Sequence, residues 1–398
     1  MNLVLYTHPA FLGSRSQAHF TRMLVDAYRA RGHAVAVRQP EAVLRRRVPT
    51  GRLAKWAGYV DQYLLFPHKM RAEIRLDPAD TLYVFCDQAL GPWVPNVARR
   101  PHVVHCHDLL ALRSALGEFP ENPTSVTGRI YQRYIRRGFR HARHFISISK
   151  KSRDDLHRFG GVTADTSEVV YNGLNHPYRP MAPDAALALL RRAGLPADER
   201  RCLLHVGGGQ WYKNTVGVVS LYASYVAASV HDNIAPLALW MVSPPPSAAV
   251  QVALQQVPPQ GEVRFFGGLG DDTLEALYSH AAALLFPSLA EGFGWPIVEA
   301  LACGCPVITT DEAPMTEVGG AAANYLPRLG PTGDREAWAN RGAQVLVNVL
   351  KRSTIERECS IAAGCAWADR FAAQTAIDAY LTIYQQVLAM ESATQHGA

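Results

Sequence analysis

LLFPSLAEGFGWPIVEALACGCPVI, residues 284–308, reads as a strand, a glycine loop, a helix and a second strand. Residues 284–286 are a short apolar run of the buried-strand kind. Pro287 and Ser288 end it. Gly292 and Gly294 allow tight backbone geometry and close approach of a ligand. Pro296 suits the first turn of a helix and Gly304 its end, with residues 306–310 as the next strand. Such a loop aims free N–H groups above a helix N-terminus, the usual place for a phosphate. Glu291 opens the loop and Glu299 lies eight residues on, inside the helix. Carboxylates beside a phosphate site suit a phosphorylated, hydroxyl-rich ligand, because they accept hydrogen bonds from hydroxyls.

The chain upstream repeats this alternation. Residues 202–206 read as a strand, followed by Gly207-Gly208-Gly209 and then Lys213 at a helix start. Glycines after a strand give backbone approach and the lysine gives a point charge, a combination that suits a diphosphate. Residues 237–242 and 263–266 read as further strands, the second running into the loop Gly267-Gly268-Leu269. Near the N-terminus, residues 2–7 form a strand. Residues 8–17 form a loop with Gly13 as its one glycine, and 18–31 an amphipathic helix. There is no G-x-G-x-x-G, so a dinucleotide cofactor is not indicated. Residues 81–86, 102–106 and 144–149 read as strands. Asp87-Gln88 and His107-Asp108 follow two of them, at the ends where open α/β sheets bind ligands. The expected division is 1–178, a linker region 179–200, a second domain 201–371, and a helix 372–398. Ile377, Tyr380, Leu381, Tyr384 and Leu388 form one band of that helix.

With 398 residues, two domains are the natural expectation. No apolar run reaches the roughly 18 residues that span a bilayer. The first residues read as a strand and not as a signal peptide, so a cytoplasmic protein is expected. Seven cysteines do not suggest a disulfide framework. The Cys303-Gly304-Cys305 triplet reads as small buried residues. His102, His105 and His107 lack the partners of a zinc motif, so no metal is expected. Charge is uneven: residues 1–180 carry 27 basic and 14 acidic side chains, 27 − 14 = +13, and the remainder 13 − 20 = −7. The basic half calls for an anionic partner. Leu53, Trp56, Ala57, Val60 and Leu64 make a helical stripe within 44–71. Arg45, Arg46, Arg47, Arg52, Lys55, Lys69 and Arg71 crowd its ends. Ile130, Tyr131, Tyr134, Ile135 and Phe139 share a face of a second basic helix, 129–143. Both readings stand for such helices: a core-facing helix with a solvated basic face, or one lying on an anionic membrane. No nucleic-acid motif accompanies the arginines, so nucleic acid is not an expected partner.

The segment Glu291-Gly-Phe-Gly-Trp-Pro-Ile-Val-Glu299 resembles the donor site of the family 4 retaining glycosyltransferases. Their signature is Glu, seven residues, Glu, around a Gly-Phe-Gly type loop. Gly13, His107-Asp108, Asn172-Gly173 and Lys213 match the family's other motifs in order, so the resemblance covers nearly the whole chain. It implies an α/β protein of the GT-B fold, two Rossmann-like doubly wound domains facing each other across a cleft. It implies a GDP- or UDP-sugar as co-substrate and no separate cofactor. His107, Lys213 and Glu291 are then the catalytic candidates. Gly13, Gly207, Gly208, Lys213, Gly268, Leu269, Glu291, Gly292, Phe293, Gly294, Trp295 and Glu299 are the donor-binding candidates. Asp87, Gln88 and Asp108 fall on the acceptor side. The implied reaction moves a hexose to a saccharide or lipid-diphosphate-linked acceptor, with an anionic membrane surface as a further partner. In the family an Arg often follows the first glycine of the 207–209 loop; here Gly208 stands there. A sugar-nucleotide epimerase and a non-catalytic nucleotide-sugar-binding protein remain the alternatives.

Overall fold

The computed structural model describes residues 1–13, 15–48 and 50–396; the side chains of Arg15, Ser16, Arg52 and residues 394–396 lie outside the described residues. The chain forms two compact units. One is Met1–Asn175 together with the helix Ala373–His396; the other is His176–Ala372.

The first unit carries one parallel sheet: β1 Asn2–Tyr6, β2 Ala34–Arg38, β3 Leu82–Phe85, β4 His102–Cys106, β5 His144–Ser147 and β6 Thr166–Val169. Its order is β2-β1-β3-β4-β5-β6. The chain first adds a strand on one side of β1, then crosses to add the rest on the other, so the order reverses between β1 and β3. The middle strands β3, β4 and β5 are buried along their whole length. Parallel strands are covered on both faces, which is why β3 reads as an unbroken apolar run, while β4 and β5 also bury His102, His105, His144 and Ser147. One face is closed by the last helix, where Ile377, Tyr380 and Tyr384 pack with Leu3, Leu5, Leu24 and Tyr28. On the other face, the 3-10 helix Gln88–Asn96 lies backbone to backbone on the helix Val126–Phe139. A Cβ on Gly138 would stand 2.3 Å from the Gly91 carbonyl oxygen, so this approach requires glycine.

Of the two readings left open for the stripe in 44–71, a fully core-facing helix is not what forms: Leu53, Trp56 and Leu64 face outward. The segment is a helix Gly51–Val60 continuing through a π-helical turn, Asp61–Leu65, into a helix Phe66–Leu76. Leu53, Trp56 and Leu64 are 72%, 66% and 66% exposed, while Asp61 and Gln62 are buried. The polar pair is tolerated inside because its groups are satisfied. The Asp61 carboxylate accepts from Leu44 N and Arg45 N, each at 2.9 Å, and Gln62 Nε2 donates to Gly58 O. The helix Val126–Phe139 likewise buries Ile135 and Phe139 but leaves Ile130 and Tyr134 exposed.

The second unit also carries one parallel sheet: β7 Leu203–Val206, β8 Leu239–Val242, β9 Val263–Phe266, β10 Ala283–Phe286, β11 Val307–Thr310 and β12 Asn324–Leu326. The order β12-β11-β10-β7-β8-β9 reverses between β7 and β10. The three-residue β12, half polar, has no counterpart in the sequence expectations. Residues 179–200 fold into this unit: the helix Pro183–Arg192 buries Ala186, Leu187 and Leu190. Cys303 and Cys305 are buried free thiols. Among the described residues no helix is long and apolar enough to cross a membrane.

Candidate active site

Ligands of doubly wound sheets bind outside the carboxyl ends of the strands, where the strand order reverses. In the second unit that point lies between β7 and β10, and the two loops leaving these strands are knitted together. Asn214 Nδ2 donates to Pro287 O at 3.0 Å, and Leu289 N donates to Tyr212 O at 2.7 Å. Gly207 has φ +125° and Gly209 φ +81°. The Lys213 stem folds back over Gly207, where a Cβ would meet Lys213 Cδ at 3.2 Å. Lys213 Nζ thereby reaches Glu291 Oε1 at 2.8 Å and sits 4.7 Å from the Phe286 ring centre. Both side chains are largely buried. The missing arginine at 208 has a steric reason: a Cβ there would lie 2.8 Å from Ser243 Cβ. A cavity of about 250 Å³ opens beside this loop, lined by Gly208, Gly209, Trp211, Ser243, Pro244 and Phe265 among others.

Gly294 has φ +102° and is the N-cap of the helix Trp295–Ala302, with Pro296 in its first turn. Phe293 points inward, 4% exposed, with its ring 5.7 Å from that of Phe371 and 6.4 Å from that of Trp295. The Trp295 indole N–H is buried with no partner among the described residues. Glu299, one helical stretch further on, accepts from the Tyr278 hydroxyl at 2.7 Å. Burial pushes its carboxyl up to about 7, against the pull of Tyr278. Gly268 (φ +72°) and Leu269 follow the edge strand β9, two strands away from β7. Arg328, which sequence reasoning did not single out, donates from Nε to Leu289 O at 2.8 Å and adds a positive charge beside the loop.

The first unit repeats the arrangement at its own reversal point. His8 follows β1, Asp87 follows β3, and His8 Nε2 lies 3.1 Å from Asp87 Oδ2. Burial raises the Asp87 carboxyl, but the His8 hydrogen bond and the charges of His8 and His107 outweigh it, leaving it below its ordinary value. A carboxylate only accepts, so His8 carries hydrogen on Nε2, and when neutral presents Nδ1 as an acceptor. His107 is buried, with Nε2 2.8 Å from Cys86 O and its ring edge-on to Phe20. Burial lowers its pKa, and the carbonyl partner places its hydrogen on Nε2. Gln88 is taken up as a brace: its Oε1 accepts from His107 N at 2.9 Å and its Nε2 donates to Asp108 O. Asp108 accepts from Leu110 N. Gly13 (φ +68°) ends the 3-10 helix Ala10–Leu12 with open space where a Cβ would stand. His8 was legible by the reasoning that picked out His107, being a polar residue after a buried strand. Tyr278 carried no such signal. His102 and His105 turn to other partners, the Arg100 carbonyl and the Tyr384 hydroxyl.

Residues 17–176 match the family described as Glycosyltransferase Family 4, and residues 200–348 match Glycosyl transferases group 1. One glycosyltransferase family model thus matches within each half of the chain. Among relatives of this chain, O-antigen chain mannosyltransferase B of Escherichia coli is 25% identical over 203 residues, 51% of this chain and 52% of that protein. The O-antigen chain mannosyltransferase RfbU of Salmonella typhimurium is 23% identical over 51% of this chain and 52% of its own. The chain thus spans about half the length of the curated relatives it matches. The fold is that of WaaG, a glycosyltransferase involved in lipopolysaccharide biosynthesis: TM-score 0.67, 16% identity, 96% of this chain and 99% of that one. Anabaena Alr3699/HepE, solved in complex with UDP and glucose, matches with TM-score 0.67 and 18% identity over 97% and 100%. Both are GT-B structures, and the two doubly wound units here have the same architecture.

Proposed function

We propose that the protein is a retaining, metal-independent hexosyltransferase. It moves a sugar from a nucleoside diphosphate to a saccharide or lipid-linked saccharide in cell-surface polysaccharide assembly. The observation that carries this is the buried Lys213–Glu291 pair at the strand-order reversal of the second unit, with Glu299 on the helix that follows. The O-antigen mannosyltransferases among the relatives support mannose as the sugar. The donor is a GDP- or UDP-sugar; UDP in HepE supports a nucleoside diphosphate at this kind of fold.

Lys213 and the N–H groups of Gly292 to Trp295 hold the diphosphate; Gly207 and Gly208 let it approach the backbone. Glu291 takes hydroxyls of the sugar and Glu299 those of the ribose, while the loop of Gly268 and Leu269 receives the base. The orphaned Trp295 N–H is a donor left over for an oxygen of the ligand. In the reaction, the bond from the anomeric carbon to the phosphate oxygen breaks as the acceptor oxygen bonds on the same face. The acceptor proton passes to the departing phosphate oxygen. Negative charge grows on the diphosphate, and Lys213 with the fixed amides is already in place to meet it. Before the donor arrives, Glu291 holds the ammonium in position. His107, with the His8–Asp87 pair and Asp108, serves the sugar and acceptor side in the first unit.

The acceptor is read as lipid-linked because the exposed apolar residues of the first unit stand together among arginines. Tyr63 and Tyr131 meet hydroxyl to hydroxyl at 2.6 Å, joining the helices that expose Leu53, Trp56 and Leu64 on one side and Ile130 on the other. Lys55, Arg129, Arg133 and Arg137 are exposed on the same helices. An apolar face set in positive charge suits an anionic membrane surface. A thermal-shift and hydrolysis screen against UDP-, GDP-, ADP- and dTDP-sugars tests the donor reading. One stabilising donor with slow release of its nucleotide is expected; no shift with any at millimolar concentration overturns it. Co-sedimentation with anionic vesicles, weakened by salt, tests the membrane reading.

A further inference from the structure

Tyr278 lies on the helix Asp271–His280 and its side chain is fully buried. Among the described residues its hydroxyl has one hydrogen-bond partner, Oε2 of Glu299 at 2.7 Å. Tyr178, itself buried, packs edge-on against the Tyr278 ring at 6.1 Å. A phenylalanine would fill this space equally well, so the hydroxyl answers to Glu299 and not to packing. The second carboxylate oxygen, Oε1, takes no hydrogen bond among the described residues. One oxygen of Glu299 is therefore committed inside the protein and the other is left for a ligand.

We infer that Tyr278 is a positioning residue of the donor site, fixing Glu299 so that one carboxylate oxygen meets the hydroxyl pair of a ribose. The inference rests on the reading of Glu299 given above. Titratable groups from several elements act on this carboxyl. Asp271 and Tyr278 come from one helix and Cys303 from the end of its own; Lys213 comes from the loop after β7, and His176 and Tyr178 from the segment before the helix Pro183–Arg192. Burial dominates and raises the carboxyl to about 7; Tyr278 is the largest influence holding it down. Losing the hydroxyl moves the carboxyl further up, so more of it is protonated at neutral pH. A protonated carboxyl is the weaker acceptor for ribose hydroxyls.

The test measures affinity for UDP, GDP and their 2′-deoxy counterparts by calorimetry from pH 6 to 9, in the wild type and in Tyr278→Phe. For whichever ribonucleotide the wild type binds, Tyr278→Phe is expected to bind about tenfold more weakly at pH 7, the effect of one charged hydrogen bond. The loss should shrink toward pH 9, and the preference for ribose over deoxyribose should fall. Glu299→Gln cannot titrate, so in that background adding Tyr278→Phe should leave the affinity and its pH profile unchanged. Equal affinity and an equal pH midpoint in wild type and Tyr278→Phe overturn the inference while leaving the donor reading intact. A pH-independent loss that persists in the Glu299→Gln background also overturns it, because Tyr278 then acts on the fold alone. A wild type that binds neither UDP nor GDP overturns the donor reading, and the inference with it.

Discussion

The state of Glu299 can be tested with no ligand present, by replacing it with glutamine. Its carboxyl stands at about 7, raised by burial from an ordinary 4.5. A raised carboxylate favours the protonated fold. Its contribution to stability is complete below the unfolded value and is lost as pH rises toward 7. At about 1.4 kcal/mol for each tenfold change in proton affinity, the ionised carboxylate costs the fold about 3 kcal/mol by pH 7 and roughly half of that near pH 5.5. Glu299→Gln keeps the shape and an oxygen for the Tyr278 hydroxyl but never ionises. The variant should therefore match the wild type near pH 4 and exceed it by about 3 kcal/mol at pH 8. Urea denaturation followed by tryptophan fluorescence at four pH values gives the difference directly. A difference that is constant with pH would refute the reasoning, since it would show that Glu299 ionises in the fold as easily as in the open chain.

Lys213→Ala should lower kcat with a donor by roughly 10²–10³-fold, as loss of one preorganised donor to a developing anion does; near-normal turnover removes Lys213 from the chemistry. His8→Ala should raise the KM for a saccharide acceptor while leaving donor hydrolysis unchanged, and a wild-type acceptor KM would detach the His8–Asp87 pair from the acceptor. Gly138→Ala places a methyl against the Gly91 carbonyl; it should cost about 1–3 kcal/mol in chemical denaturation, as overpacking does. Replacing Trp56 and Leu53 with serine should release the protein from anionic vesicles without loss of stability, because both side chains are exposed.

Much of the fold was legible because strands covered on both faces are largely apolar, as residues 284–286 and 82–85 are. The Glu291–Glu299 segment was legible because its chemistry is carried by residues close in sequence. Periodicity alone could not decide 44–71, since an apolar stripe can face either the core or a partner outside. There the interior takes Asp61, whose partners Leu44 and Arg45 lie well back along the chain, and Gln62, which donates to Gly58 one turn away. The proline-rich start of 179–200 suggested a linker, yet Leu187 and Leu190 had a core to enter. Tyr278 and His8 gain their meaning only from contacts across many residues, 21 positions in the case of Tyr278 and Glu299. The gap at Gly208 also became intelligible only with Ser243 beside it.

The helix Ala373–His396 closes a core that begins with Leu3 and Leu5, and the whole second unit lies between them in the chain. On the ribosome this order has a price in time. Residues 176–372 are synthesised, and can fold, before the strip meant for Ile377, Tyr380 and Tyr384 receives its cover. Until then Leu24, Tyr28 and their neighbours are bare, for roughly ten to forty seconds at ordinary rates of elongation. The nascent first half is thus the natural client of a chaperone, and a translation stall within the second half should make it aggregate.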